Sequence, residues 1–147
     1  MQNSNKSEAD HMKPIMCGID RIETDPEILK NQKAGLITNH TGVNRELEST
    51  IDILKESENL VCLFAPEHGV RGELQAGATV SDSIDKNSGA GVYSLYGKNR
   101  KPTEAMLRDV DTLVYDIQDV GARYYTYLST MACGMEAAKN AKKKFMV

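Results

Sequence analysis

Short apolar segments recur along the chain from residue 15 onward, separated by segments that mix apolar and polar residues. Four of them lack a polar face and predict buried strands, over residues 34–39, 60–65, 91–97 and 112–117. A further apolar run begins at residue 145, where the same alternation places the next strand. Strands of this kind are typical of a parallel sheet that is covered on both sides.

Three amphipathic segments predict helices, over residues 46–57, 102–110 and 124–144. In the third helix the predicted buried stripe consists of Leu128, Met131, Met135 and Ala138. Strands that alternate with helices indicate an α/β fold. We therefore predict a Rossmann-like, mainly parallel sheet with helices on both faces.

The length of 147 residues is enough for one domain with a single core, which we place at residues 15–147. Residues 1–14 are polar and predict a disordered tail. The last predicted strand stops after three residues, so we expect the N-terminal Rossmann-like part of a longer protein, truncated at its C-terminus and lacking a second domain. No signal peptide is visible, which predicts a cytoplasmic location.

The net charge is −3 and the charges are well mixed, so no basic patch indicates nucleic-acid binding. No apolar run is long enough to cross a membrane. The chain contains no phosphate-binding loop, dinucleotide fingerprint or paired-cysteine site, and we predict neither a cofactor nor a bound metal.

Polar residues and glycines follow three of the predicted strands. These segments are residues 39–42 (NHTG), 66–72 (PEHGVRG) and 116–125 (DIQDVGARYY). Ligands of open α/β sheets bind outside the carboxyl ends of the strands, and in a parallel sheet these ends share one edge. The three segments are therefore predicted to converge on one site.

Glu67 follows an apolar strand, where partial burial would raise the pKa of its carboxyl group and suit it to donate a proton. A surface or helix-capping carboxylate is the structural alternative. His68 can donate a hydrogen bond or titrate near neutral pH, or it can be bound to the loop backbone. Arg71 and Arg123 can hold an anionic group of a substrate, or pair instead with Glu73, Asp116 or Asp119.

Asp116 and Asp119 lie three residues apart at a strand end, where they can bind Mg²⁺, act as a base or orient an arginine. Asn39 and Thr41 can contact a substrate or cap the following segment. Tyr124 and Tyr125 are placed at the start of the third helix. One ring can stack on a sugar, and at least one ring is expected in the core.

Several motifs in this order resemble the peptidoglycan exo-β-N-acetylmuramidases of the NamZ type. They are GLITNHTGV, FAPEHGVRGELQAG, VYSLYG, KPTEAMLRDVDTLVYDIQDVGARYYTYLSTM and MEAAK. The resemblance implies a glycoside hydrolase that releases N-acetylmuramic acid from the non-reducing end of peptidoglycan fragments. It also implies a Rossmann-like domain followed by a smaller domain, with the active site in the cleft between them. Many members are exported.

The glutamate of the family's EHG motif, a proposed catalytic acid, maps onto Glu67. Other motif residues map onto candidates for lining the cleft: Asn39, His68, Arg71, Asp116, Gln118, Asp119, Arg123, Tyr124 and Tyr125. Asp116 or Asp119 can serve as nucleophile or base, or the 2-acetamido oxygen of the substrate can take that role. Two alternatives remain, a Mg²⁺-dependent phosphohydrolase that uses Asp116 and Asp119 and a non-catalytic, truncated sugar-binding fragment.

Overall fold

A computed structural model describes residues 15–72, 83–97 and 99–147, and the predicted tail at 1–14 lies outside this range. The strands are β1 Ala34–Thr38, β2 Leu60–Ala65, β3 Ser83–Ile84, β4 Gly91–Ser94, β5 Thr112–Asp116 and β6 Lys144–Met146. The helices are α1 Gly18–Thr24, α2 Thr50–Glu56 and α3 Tyr127–Asn140, with a 3₁₀ turn at Pro26–Leu29. In this described part, no helix is long and apolar enough to span a bilayer.

The strands form one sheet in the order β3-β4-β2-β1-β5-β6. β1 pairs in parallel with β2 and β5, β4 pairs in parallel with β2, and β6 pairs in parallel with β5. The predicted α/β fold is thereby confirmed. The exception is the short edge strand β3, which pairs antiparallel with β4 and was not predicted.

Alternate residues of the strands face two separate apolar layers. Leu36 and Leu63 pack with Ile19 of α1 and Leu54 of α2 on one face. Ile37 and Phe64 face the other layer, which also contains Ala137 and Ala138 of α3. Both faces of the central strands are therefore covered, which explains why these strands lack a polar face.

The helix predicted over residues 102–110 is wrong, because residues 104–109 form turns. Leu107 donates its backbone N–H to Thr103, a helix-like bond, but the N–H of Val110 reaches back only to Leu107. A single turn fixes several dihedral angles for one hydrogen bond and does not propagate by itself. Burial of the Leu107 and Val110 side chains in the layer beneath α3 stabilises the turns instead.

The third helix begins at Tyr127 rather than at Tyr124. Of its predicted apolar stripe, Ala138 is buried and Met131 packs against the core, whereas the prediction is wrong for Leu128 and Met135. Leu128 and Met135 are 59% and 50% exposed. The buried residues are Tyr127, Gly134, Ala137 and Ala138. A Cβ atom on Gly134 would lie 2.8 Å from Cδ1 of Ile37, so at this position the helix lies too close to the sheet for a larger side chain.

Replacing Gly134 by valine is expected to lower the free energy of unfolding by about 2 kcal/mol, because the added methyl groups overpack the contact with β1. Urea unfolding followed by circular dichroism measures this change. Ala132→Val is the matched control, since Ala132 lies on the exposed side of the same helix. Equal stability of the two variants would contradict the close packing.

Candidate functional site

The three predicted segments lie side by side at the carboxyl edge of the sheet, because β2, β1 and β5 are neighbours. The hydroxyl of Thr38 donates to the carbonyl oxygen of Asp116 at 2.7 Å, and the backbone N–H of Gln118 donates to Oγ1 of Thr41 at 2.9 Å. On the other side, a Cβ atom on Gly72 would lie 2.8 Å from Nδ1 of His40. The segment after β1 is thus in contact with both others.

Asn39 and Thr41 are joined by two hydrogen bonds. Oδ1 of Asn39 accepts hydrogen bonds from the backbone N–H of Thr41 at 2.9 Å and from its hydroxyl at 2.6 Å. Asn39 is 2% exposed, and its Nδ2 atom has no acceptor among the described residues. The structural alternative given in the sequence analysis, that Asn39 and Thr41 stabilise the segment after β1 by local hydrogen bonds, is therefore present in the structure.

Glu67 and His68 lie on a tight turn after β2. The backbone N–H of Gly69 donates to the carbonyl of Pro66 at 3.1 Å, and His68 has a left-handed φ of 73°. Both side chains are half-buried. Together with Tyr124, Tyr125, Thr126 and Tyr127 they line a groove of about 230 Å³, which we call the aromatic groove.

A second groove of about 430 Å³ also includes Glu67. We call it the arginine groove, and it is lined by Glu67, Leu95, Tyr96, Gly97, Arg100, Thr126, Ser129, Thr130 and Cys133. The two grooves share Glu67 and Thr126. Glu67 therefore lies where the two grooves meet.

Arg100 was missed by the sequence analysis. It follows β4, which pairs with β2, so its segment leaves the same edge of the sheet as Glu67. The segment after the strand predicted at 91–97 could have revealed it, because this segment also follows the carboxyl end of a strand. The sequence analysis took no candidate residues from it.

The tyrosines form a series of neighbouring rings that leads from the core to the solvent. Ring centroids are 5.3 Å apart for Tyr124 and Tyr125, and 5.7 Å apart for Tyr125 and Tyr127. Tyr124 is 84% exposed and Tyr125 is 40% exposed. The expectation that one of these two lies in the core is wrong. Tyr127 takes that place, and its carbonyl accepts a hydrogen bond from the hydroxyl of Tyr115.

Asp116 does not line either groove next to Glu67. It lines a separate cavity of about 420 Å³ with residues of α1 and β6. Its Oδ2 atom accepts a hydrogen bond from the Thr50 hydroxyl at 2.5 Å. Burial raises the pKa of the Asp116 carboxyl group, and the hydrogen bond from Thr50 opposes that rise.

The segment after Asp116 is held by its own hydrogen bonds. Oδ1 of Asp119 accepts from the backbone N–H of Gly121 at 2.7 Å, and Nε2 of Gln118 donates to the carbonyl of Asp119 at 3.0 Å. Arg123 is exposed. Across residues 15–72, 83–97 and 99–147, no three His, Cys, Asp or Glu side chains are grouped to hold a metal ion. Asp116 and Asp119 thus accept hydrogen bonds from different parts of the structure, Thr50 of α2 and Gly121 of their own loop.

Arg71 pairs with partners that the sequence analysis did not expect. Its Nε and Nη2 atoms lie 2.8 and 3.0 Å from the two carboxylate oxygens of Asp85, and Nη2 lies 3.0 Å from Oδ1 of Asp52. The expected partners Asp116 and Asp119 are therefore wrong, and Glu73 lies outside the described residues. The guanidinium group holds the pKa of Asp85 well below its usual range.

Asp85→Asn is expected to lower the free energy of unfolding at pH 7 by about 2 kcal/mol, because it breaks a largely buried pair. A depressed pKa in the folded state stabilises the fold above about pH 4, the ordinary range of aspartate, and this contribution is lost as the pH falls. The deficit of the variant should therefore shrink in acid. Urea unfolding at several pH values measures it, and Glu27→Gln, which breaks an exposed pair, is the control.

Asp116→Asn is expected to stabilise the fold at pH 7, because a buried carboxylate is replaced by an amide that still accepts from Thr50. A raised pKa means that the wild type loses stability as the pH rises above the ordinary range of aspartate, so the advantage should vanish in acid. Thr50→Val should instead cost about 2 kcal/mol at pH 7, and Thr50→Ser little. Thermal unfolding across pH measures all three, and a destabilised Asp116→Asn would contradict the assignment.

Comparison with known proteins places this fold in a family. A family model described as "Exo-beta-N-acetylmuramidase NamZ, N-terminal" matches residues 34–147. The Bacillus subtilis (strain 168) protein named peptidoglycan beta-N-acetylmuramidase NamZ is 54% identical over 136 residues, which are 90% of this chain and 33% of that protein.

Two crystal structures of DUF1343 family proteins from Bacteroides fragilis NCTC 9343 are similar to this chain. They match with TM-scores of 0.79 and 0.72 at 51% and 36% identity, and they cover 88% and 90% of this chain and 33% of their own. The chain thus spans about a third of the length of the relatives it matches. From the family match and the shared fold, the chain belongs to the NamZ N-terminal family.

Proposed function

We propose that this chain carries the catalytic acid of a glycoside hydrolase that releases N-acetylmuramic acid from the non-reducing end of peptidoglycan fragments. The similar Bacillus subtilis protein is named a peptidoglycan beta-N-acetylmuramidase, which supports the substrate class. The observation that carries the proposal is the position of Glu67 at the meeting point of two grooves.

A glycosidase needs a proton donor at the bond between two sugars. Two adjoining grooves can hold the sugars on either side of that bond, and the carboxyl group of Glu67 then lies next to the glycosidic oxygen. Proton donation to that oxygen assists its departure as the bond breaks. The exposed ring of Tyr124 offers a flat apolar surface for one of the sugars.

The second catalytic role is assigned to the substrate itself. Asp116 lines a different cavity, and Asp119 accepts a hydrogen bond from its own loop. Among the described residues, Glu67 is the only carboxylate that lines the two grooves. We therefore favour attack on the anomeric carbon by the 2-acetamido oxygen of the sugar, a known exception to the two-carboxylate scheme.

A sugar-binding role without turnover is the second candidate. It is favoured by one observation, namely that the chain spans about a third of the relatives. In that case the grooves bind muramyl saccharides, while the geometry for reaction depends on residues from elsewhere. The Mg²⁺-dependent alternative has no such support, because Asp116 and Asp119 make separate hydrogen bonds.

Glu67→Gln should lower the release of N-acetylmuramic acid by roughly 100-fold or more, because the amide cannot donate the acid proton. A chromogenic β-N-acetylmuramide measures turnover by this chain alone and by the same chain fused to the remaining two thirds of the Bacillus subtilis relative. Glu56→Gln, at the exposed end of α2, is the control. Near-normal release by Glu67→Gln would remove Glu67 from the acid role, whereas saccharide binding without turnover in both forms would favour the second candidate.

A further inference from the structure

We propose that Arg100 recognises the carboxylate of the 3-O-lactyl group that distinguishes N-acetylmuramic acid from N-acetylglucosamine. This inference rests on the proposed function and adds the residue that selects the sugar. It follows from where the arginine and lysine side chains of the described residues lie relative to Glu67.

The arginine groove has the size and chemistry for one sugar residue. Its volume of about 430 Å³ falls within the range of small-molecule sites. The hydroxyl-bearing residues Thr126, Ser129 and Thr130 line it, and such groups can exchange hydrogen bonds with sugar hydroxyls. Arg100 adds a positive charge to a groove that Glu67 also lines.

Among residues 15–72, 83–97 and 99–147, the other arginines and the lysine nearest this edge are paired with carboxylates or lie outside both grooves. Arg71 is held by Asp85 and Asp52, and Nζ of Lys101 lies 2.9 Å from Glu136. Arg123 is among the lining residues of neither groove. Arg100, by contrast, is exposed and makes no ion pair or side-chain hydrogen bond with the described residues. Its guanidinium group can pair with a carboxylate through two parallel hydrogen bonds.

The start of α3 adds a second source of positive potential. Thr126 precedes the helix, its side chain makes no capping hydrogen bond, and Ser129 and Thr130 belong to the first turn. The first backbone N–H groups of a helix have no partner within the helix, and its N-terminal end attracts anions. The N-terminus of α3 and the guanidinium group of Arg100 thus both contribute positive potential to the same groove.

These positions assign a direction to the substrate. The terminal muramoyl residue occupies the arginine groove with its lactyl carboxylate at Arg100, and the next sugar lies toward Tyr124 in the aromatic groove. The glycosidic oxygen between them then falls at Glu67, which both grooves share. Arg100 acts on binding and specificity, and it takes no part in proton transfer.

Titration of the 147-residue chain with N-acetylmuramic acid and with N-acetylglucosamine tests the inference, because the two sugars differ only in the lactyl group. Chemical shifts of backbone amides measure both affinities. The wild type should bind the muramic acid more tightly, and Arg100→Gln should weaken that binding by about 10-fold while leaving N-acetylglucosamine binding unchanged. Arg100→Lys should fall between, since it keeps the charge and loses the planar fork.

Arg108→Gln is the matched control, because Arg108 is an exposed arginine outside both grooves. The inference is overturned if Arg100→Gln distinguishes the two sugars as the wild type does, or if the wild type does not prefer the muramic acid. Failure of the proposed function has a different signature, since the chain would then discriminate through Arg100 while the fusion with the relative released no N-acetylmuramic acid.

Discussion

The parallel pairing of β1 with β2 on one side and β5 on the other is the constraint on which the site depends. β1 is buried along its whole length, so its position between its neighbours is fixed by packing on both faces. Even the polar residue at its end, Thr38, is used to bind the carbonyl of Asp116. Because the three strands run in one direction, the loops that follow them must leave the sheet together, and residues far apart in the chain become neighbours.

The polar residues at that edge lie on different faces of the sheet. Val114 packs on the face of α1 and α2, and Asp116, two residues later, meets Thr50 of α2. Glu67 lies instead in grooves that reach the start of α3. Two carboxylates at the same edge of the sheet, after β2 and at the end of β5, can therefore belong to different cavities. This separation is why the proposed mechanism relies on one protein acid and on the acetamido group of the substrate.

The strands and their shared edge could be predicted from the sequence, because segments without a polar face have few places in a soluble fold other than a covered parallel sheet. The buried face of α3 could not be predicted in the same way. Apolar spacing favoured Leu128 and Met135 together with Met131 and Ala138, yet the close approach of the helix to Ile37 places Gly134 and the alanines Ala137 and Ala138 on the buried face. Which stripe is buried depends on the distance between helix and sheet, and that distance is a tertiary property.

The partners of the arginines in the site are also set by tertiary structure and could not be predicted from the sequence. Arg71 stands in the motif beside Glu67, but its partners Asp52 and Asp85 are 19 and 14 residues away, and only the fold brings them together. A largely buried guanidinium group needs such partners, since an unpaired buried charge is costly. An exposed one, like Arg100, stays solvated at little cost until an anion arrives. A cation that awaits a substrate is therefore expected at the exposed rim of a groove, and nearness to the acid in the sequence is a poor guide to it.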